Sequence, residues 1–306
     1  SVKEQVLLGV TGSGKTFIAM EKSRRLAGEG KRVLMKCFNK NLASYLRAEL
    51  PDVIYVANIH DYFLQVARIS DPAIDIPQDL AERQEFFTNR LPALAFECMV
   101  ELPEEDKFDA VIIDEGQDLK IEWFSCLEAV LKESGGLFIF ADPAQSIFYH
   151  DIEEVKNMPI SKQQLTRNLR NTGSINDWMS QYLSGRPMIS AGNVGAPIKY
   201  IPFRSADEQM MLIEKEIGRL ISKGVQLSRI QILSPHIKAK SCLAGRERLK
   251  EWSLIDFLDG TNHGIRFSTI RSFKGLESDI VFLIDISPDS KACTEADIYV
   301  GGSRAR

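Results

Sequence analysis

The segment Gly9-Val10-Thr11-Gly12-Ser13-Gly14-Lys15-Thr16 constrains this chain more than any other, because it dictates a local fold and a ligand together. The apolar run Val6-Leu7-Leu8 precedes it, so the reading is strand, glycine-rich turn, then helix. In that setting the pattern G-x-x-x-x-G-K-[ST] forms a phosphate-binding loop. Glycines let successive backbone N–H groups curl around a β-phosphate without Cβ clashes, and the helix N-terminus adds partial positive charge. Thr11, Gly12, Ser13 and Gly14 supply the cradle, Lys15 reaches the β- and γ-phosphates, and the Thr16 hydroxyl ligates Mg²⁺. The expected ligand is a nucleoside triphosphate.

With 306 residues, the chain is long enough for two cores of ordinary size. Its net charge of −4 and pI of about 5.7 announce no global basic field, which leaves open a local basic groove for nucleic acid. The five cysteines are scattered, odd in number and lack a C-x-x-C pair. Such usage suits a reducing cytoplasm and argues against a disulfide framework or a zinc site. No apolar stretch approaches the ~20 residues a membrane span requires, and no signal peptide opens the chain, so no membrane partner is expected.

Short apolar runs rich in β-formers alternate with helical patterns, which predicts an α/β fold built on parallel sheets. Strands are expected at Gln5–Gly9, Arg32–Cys37, Val53–Ala57, Ala110–Asp114 and Leu137–Ala141, then at Ile198–Pro202, Ile230–Ser234, Arg266–Ile270 and Ile280–Asp285. Met210, Ile213, Ile217, Leu220 and Ile221 fall at helical spacing. The economical division is a first domain over 1–160, with a helical insert at about 61–107, and a second over 161–306.

Val111-Ile112-Ile113-Asp114-Glu115-Gly116-Gln117-Asp118 ends an apolar strand in acidic residues. Metal-assisted hydrolysis needs one carboxylate to hold Mg²⁺ and another to polarise the attacking water. Adjacent positions at a strand's carboxyl end supply both, so Asp114 is the metal-side group and Glu115 the general base; a solvated acidic loop is the plainer alternative. A second apolar strand runs into Asp142-Pro143-Ala144-Gln145-Ser146-Ile147-Phe148, where Gln145 can bond the γ-phosphate or the lytic water.

These three segments, in this order, resemble the UvrD/Rep family of superfamily-1 DNA helicases. The family's D-E-x-Q-D stands as Asp114 to Asp118, and its D-x-x-Q-S-I-[YF] as Asp142 to Phe148. Leu165-Thr166-Arg167-Asn168-Leu169-Arg170 looks like the fourth motif, Thr269 to Glu277 like the fifth, and Tyr299 to Arg306 like the sixth. The resemblance implies two RecA-like P-loop NTPase domains, ATP with Mg²⁺, and 3′→5′ movement on single-stranded DNA or at a single-strand/duplex junction. It also implies that Arg170 and Arg304 neutralise the γ-phosphoryl group, that Gly275 sits near the phosphates, and that Glu277 binds the ribose.

A single-strand track needs polar groups for phosphates and flat side chains for bases. By the resemblance it includes Phe38 and Asn39, then His60, then Phe148 and His150, with Arg271 and Ser272 from the fifth motif. Phe38 and Phe148 suit a hydrophobic core equally well. His150 stands where the family has a stacking tryptophan, Leu169 where it has a tyrosine, and Arg271 where it has a histidine. Two other readings remain: an NTPase switch in a larger assembly, fused to or associated with a nuclease or accessory domain, and an RNA substrate. The short accessory regions suggest a compact motor core, one part of a longer polypeptide.

Overall fold

The structure is a computed structural model; it describes residues 4–145, 148, 152–158, 160–182, 189–190, 192–257, 263–287, 290 and 292–306. The chain divides into two compact units, one of residues 1–9 and 14–165, the other of 10–13 and 166–306. The tip of the phosphate loop thus packs with the second unit, while the strand before it and the helix after it belong to the first.

In the first unit, β1 (Glu4–Gly9) leads to α1 (Lys15–Gly28), β2 (Val33–Cys37), α2 (Lys40–Glu49) and β3 (Tyr55–Asn58). Helices α3 (Ile59–Ser70), α4 (Leu80–Glu85) and α5 (Leu91–Val100) follow. The unit closes with β4 (Phe108–Ile113), α6 (Ile121–Ala129), β5 (Leu131–Ala141), α7 (Ile152–Asn157) and β6 (Ser161–Leu165). All six strands pair in parallel in the order β3-β2-β4-β5-β1-β6. The register sets Leu8 beside Ala141 and Ile113 beside Ile139, so β1, β4 and β5 end together at one sheet edge. Loops at the carboxyl ends of parallel strands are where such sheets place ligands.

Local chemistry explains the elements. Gly14 (φ +89°) makes the left-handed turn into α1, a conformation costly for any residue with a Cβ. Asn39 and Asn58 cap α2 and α3, each accepting from N–H groups of the first helical turn. Helices α3 and α5 bury Phe63, Val66, Leu91, Ala95 and Met99 in the same core as Trp123 and Val111.

The second unit holds β7 (Arg167–Asn168), α8 (Gly173–Ser180), β8 (Ile189–Ser190) and α9 (Ala206–Ile221). Strands β9 (Ile230–Ser234), β10 (Arg248–Leu249), β11 (Trp252–Asp256), β12 (Gly264–Thr269) and β13 (Ile280–Leu283) precede α10 (Glu295–Gly302). The second sheet runs β10-β11-β12-β9-β13, parallel except at β10. Ile213 and Ile217 of α9 pack on Ile230, Ile232, Ile265 and Phe267.

One expected strand does not form. Ile198–Pro202 is irregular and largely exposed, because Pro197 and Pro202 remove ladder donors. Lys199 instead ties the segment to α9 through Glu216 at 2.5 Å.

Candidate nucleotide-hydrolysis site

In the first unit, a chain of buried polar side chains crosses the edge where β1, β4 and β5 end. Lys15 Nζ donates to the Gly9 carbonyl at 3.0 Å and lies 3.6 Å from Asp142 Oδ2. That same oxygen accepts from Gln145 Nε2 at 2.7 Å. The Asp142 N–H donates to Gln117 Oε1 at 2.9 Å, and Gln117 Nε2 donates to Glu115 Oε2 at 2.5 Å. The loop lysine is therefore linked to the candidate base through two amides and one carboxylate. Glu115 holds a left-handed backbone (φ +56°), a strained conformation for a residue with a side chain, which recurs at sites that surrounding structure over-determines.

Asp114 is fully buried, and its Oδ2 has no hydrogen-bond partner among the described residues. Burial, then the neighbouring Glu115 carboxylate, raises its carboxyl above the usual range, while the Thr16 hydroxyl bonded to it pulls the other way. An orphaned carboxylate oxygen beside a hydroxyl fits Mg²⁺, which takes one or two protein oxygens and fills its remaining positions with phosphate and water. Thr16 and Asp114 are the residues that would hold it.

In the second unit, the loop tip meets the candidate arginines. Arg304 is 2% exposed, and its Nη2 lies 3.4 Å from the Thr11 hydroxyl. Its guanidinium is fixed by Ser303 Oγ at 2.6 and 3.0 Å and by the Val300 carbonyl at 3.0 Å. Leu169 N–H donates to the Gly12 carbonyl at 2.9 Å, and Gly12 (φ +66°) has no room for a Cβ, which would stand 2.1 Å from Asn168 Oδ1. Arg170 Nε pairs with Glu277 at 2.5 Å, and Arg306 pairs with the other Glu277 oxygen. Gly275 has a positive φ of 87° in the turn before Glu277, and the buried Ser13 hydroxyl has no hydrogen-bond partner among the described residues.

The candidate track residues divide between the units. Phe38, His60 and Phe148 join one ring cluster in the first: Phe38 lies 5.3 Å from His60, 4.6 Å from Phe148 and 6.3 Å from Trp123, nearly parallel to the last. Asn39 is used as the cap of α2. Arg271 pairs with Asp297 at 3.0 Å and Ser272 bonds Thr269, both within the second unit. His150 lies outside the described residues. Trp123, Gln117 and Asp142 were not among the expected site residues. Gln117 and Asp142 stand inside the quoted motifs, whereas only three-dimensional packing brings Trp123 of α6 to Phe38 and His60.

No known family's sequence profile matches this chain. Over 97 residues it is 42% identical to the UvrABC system protein B of Chlorobium limicola (strain DSM 245 / NBRC 103803 / 6330), covering 29% of this chain and 14% of that protein. Among solved structures, the PRRSV helicase matches the whole chain at a TM-score of 0.50 and 14% identity. The chain shares its fold with that protein. Arterivirus nonstructural protein 10 (helicase), solved with DNA, aligns over 99% of the chain at 12% identity and a TM-score of 0.48. The chain spans 51% and 58% of those two helicase chains. No helix among the described residues is long and apolar enough to cross a membrane.

Proposed function

We propose that this chain is an ATP-hydrolysing motor of the UvrD/Rep type that moves 3′→5′ on single-stranded DNA. The carrying observation is the unbroken polar chain Lys15–Asp142–Gln117–Glu115, which joins the phosphate-binding lysine to a candidate base inside one buried edge. A merely solvated acidic loop would leave these groups in water.

Each residue then has a task. Backbone N–H groups of the loop and the Lys15 ammonium hold the phosphates, and the lysine is pre-placed by Gly9 and Asp142. Thr16 and Asp114 would hold Mg²⁺, which would neutralise negative charge on the bound triphosphate. Glu115, anchored by Gln117, orients and deprotonates water, and Gln145, anchored by Asp142, aligns it. Arg304, beside Thr11, and Arg170 offset negative charge developing on the γ-phosphoryl oxygens, a contribution typically worth ~10³-fold or more in rate. Glu277 receives the ribose hydroxyls once Arg170 turns to phosphate.

The experiment is ATP turnover by the purified chain with matched DNA and RNA oligonucleotides. Stimulation by single-stranded DNA well above that by RNA supports the reading; equal stimulation moves the substrate assignment to RNA or to both.

One observation favours a second reading, an NTPase switch serving a nuclease or accessory domain. The rings of Phe38, His60 and Trp123 pack on one another, leaving fewer faces for bases. ATPase activity and DNA binding without strand displacement would favour the switch.

A further inference from the structure

Asn168, Asn171 and Asn176 form a buried amide cluster in the second unit, exposed by 0%, 0% and 3%. Asn168 Nδ2 donates to Asn171 Oδ1 at 2.8 Å and to Asn176 Oδ1 at 3.3 Å. Asn168 Oδ1 accepts from the backbone N–H groups of Arg170 and Asn171, both at 3.1 Å, so the turn carrying Arg170 folds around that oxygen. Asn171 Nδ2 donates to the carbonyls of Ser303 at 3.1 Å and Ala305 at 2.5 Å, the residues on either side of Arg304. One side chain thus spans the two segments that present the reactive arginines.

We propose that Asn171 is a positioning residue that holds Arg304 in register with Arg170 and with the loop tip. The reaction these arginines serve rests on the function proposed above; the geometry itself does not. Buried amides whose hydrogens and oxygen are all engaged specify one arrangement, because any slip leaves a polar group unpaired in a dry setting. The cluster also reaches the loop, since Asn168 Oδ1 occupies the space a Cβ on Gly12 would take. Sliding the sixth motif against the fourth would break both Asn171 bonds and carry Arg304 away from Thr11.

The test is Asn171→Asp, which keeps size and shape but turns a double donor into an acceptor facing two carbonyls. Steady-state ATP hydrolysis is expected to lose ~10²-fold in kcat with KM for ATP within ~3-fold, the signature of an interaction made in the transition state. Asn171→Ser, which keeps one donor, is expected to fall between the two and serves if the aspartate variant does not fold. Hydrogen exchange at Arg304 Nε–H, followed by NMR in the intact chain, is the second readout. It should be slow in the parent and ~10-fold faster or more in a folded variant, because the bonds to Val300 and Ser303 loosen. Unchanged kcat and unchanged Arg304 protection in a folded variant overturn the proposal, as does a loss confined to thermal stability. If the parent chain turns over no ATP, the proposed function fails, and the exchange measurement alone decides for or against Asn171.

Discussion

Arg170 and Glu277, two groups assigned to opposite ends of one nucleotide, bind each other at 2.5 Å. Both are partly exposed, so the pair is readily exchanged for a ligand's phosphate and hydroxyls. Glu277→Gln should abolish discrimination between ATP and its 2′,3′-dideoxy analogue. Hydrogen bonds to a charged acceptor amount to ~1.5–3 kcal/mol, so kcat/KM for the parent should favour ATP by ~10-fold or more. A parent that treats the two nucleotides alike removes Glu277 from the ribose.

Lys36 on β2 is fully buried; its ammonium has no hydrogen-bond partner among the described residues and faces the rings of Tyr62 at 3.6 Å and Tyr55 at 5.3 Å. Burial lowers its pKa well below the ordinary lysine value. A base whose folded pKa lies under its unfolded pKa disfavours folding at neutral pH, since a proton must be shed or a charge kept dry. Lys36→Met keeps the stem and removes the amine, so it should raise stability by about 1–3 kcal/mol in urea unfolding. Destabilisation would mean that the amine has a role the fold depends on.

His60 sits among Phe38, Phe87 and Trp123, and burial pushes its pKa down to about 4. The folded pKa is below the unfolded value of ~6.5, so the neutral ring stabilises the fold fully above pH ~6.5, and that contribution is lost as pH falls toward 4. Between pH ~7 and ~4.5 the parent should lose on the order of 2–3 kcal/mol more than His60→Phe in urea titrations. Parallel pH dependences for the two proteins would contradict the assignment.

The phosphate loop, β4 with Asp114, β5 with Gln145, and the sheet around β9 and β12 were legible in the sequence, because apolar runs ending in polar residues mark buried parallel strands. Ser161–Leu165 was not: β6 is an exposed edge strand whose polar S-K-Q-Q sequence carries no alternation, and only pairing with β1 makes it a strand. Ile198–Pro202 failed in the opposite sense, its apolar residues having a strand's composition between two prolines that forbid the ladder. Within the candidate site, motif spacing named Lys15, Asp114, Glu115, Gln145 and the arginines. The bonds that join them, through Gln117, Asp142 and Asn171, depend on side-chain geometry that spacing does not encode.

The proposed reaction is hydrolysis of a triphosphate held by Lys15 and attacked by water that Glu115 deprotonates. Its most direct measurement follows ATP binding and phosphate release in parallel for the parent, Lys15→Ala and Glu115→Gln. Glu115→Gln should bind ATP as the parent does but release phosphate ~10²–10⁴-fold more slowly, and Lys15→Ala should lose binding itself. Phosphate release at the parent's rate by Glu115→Gln would contradict the proposed reaction.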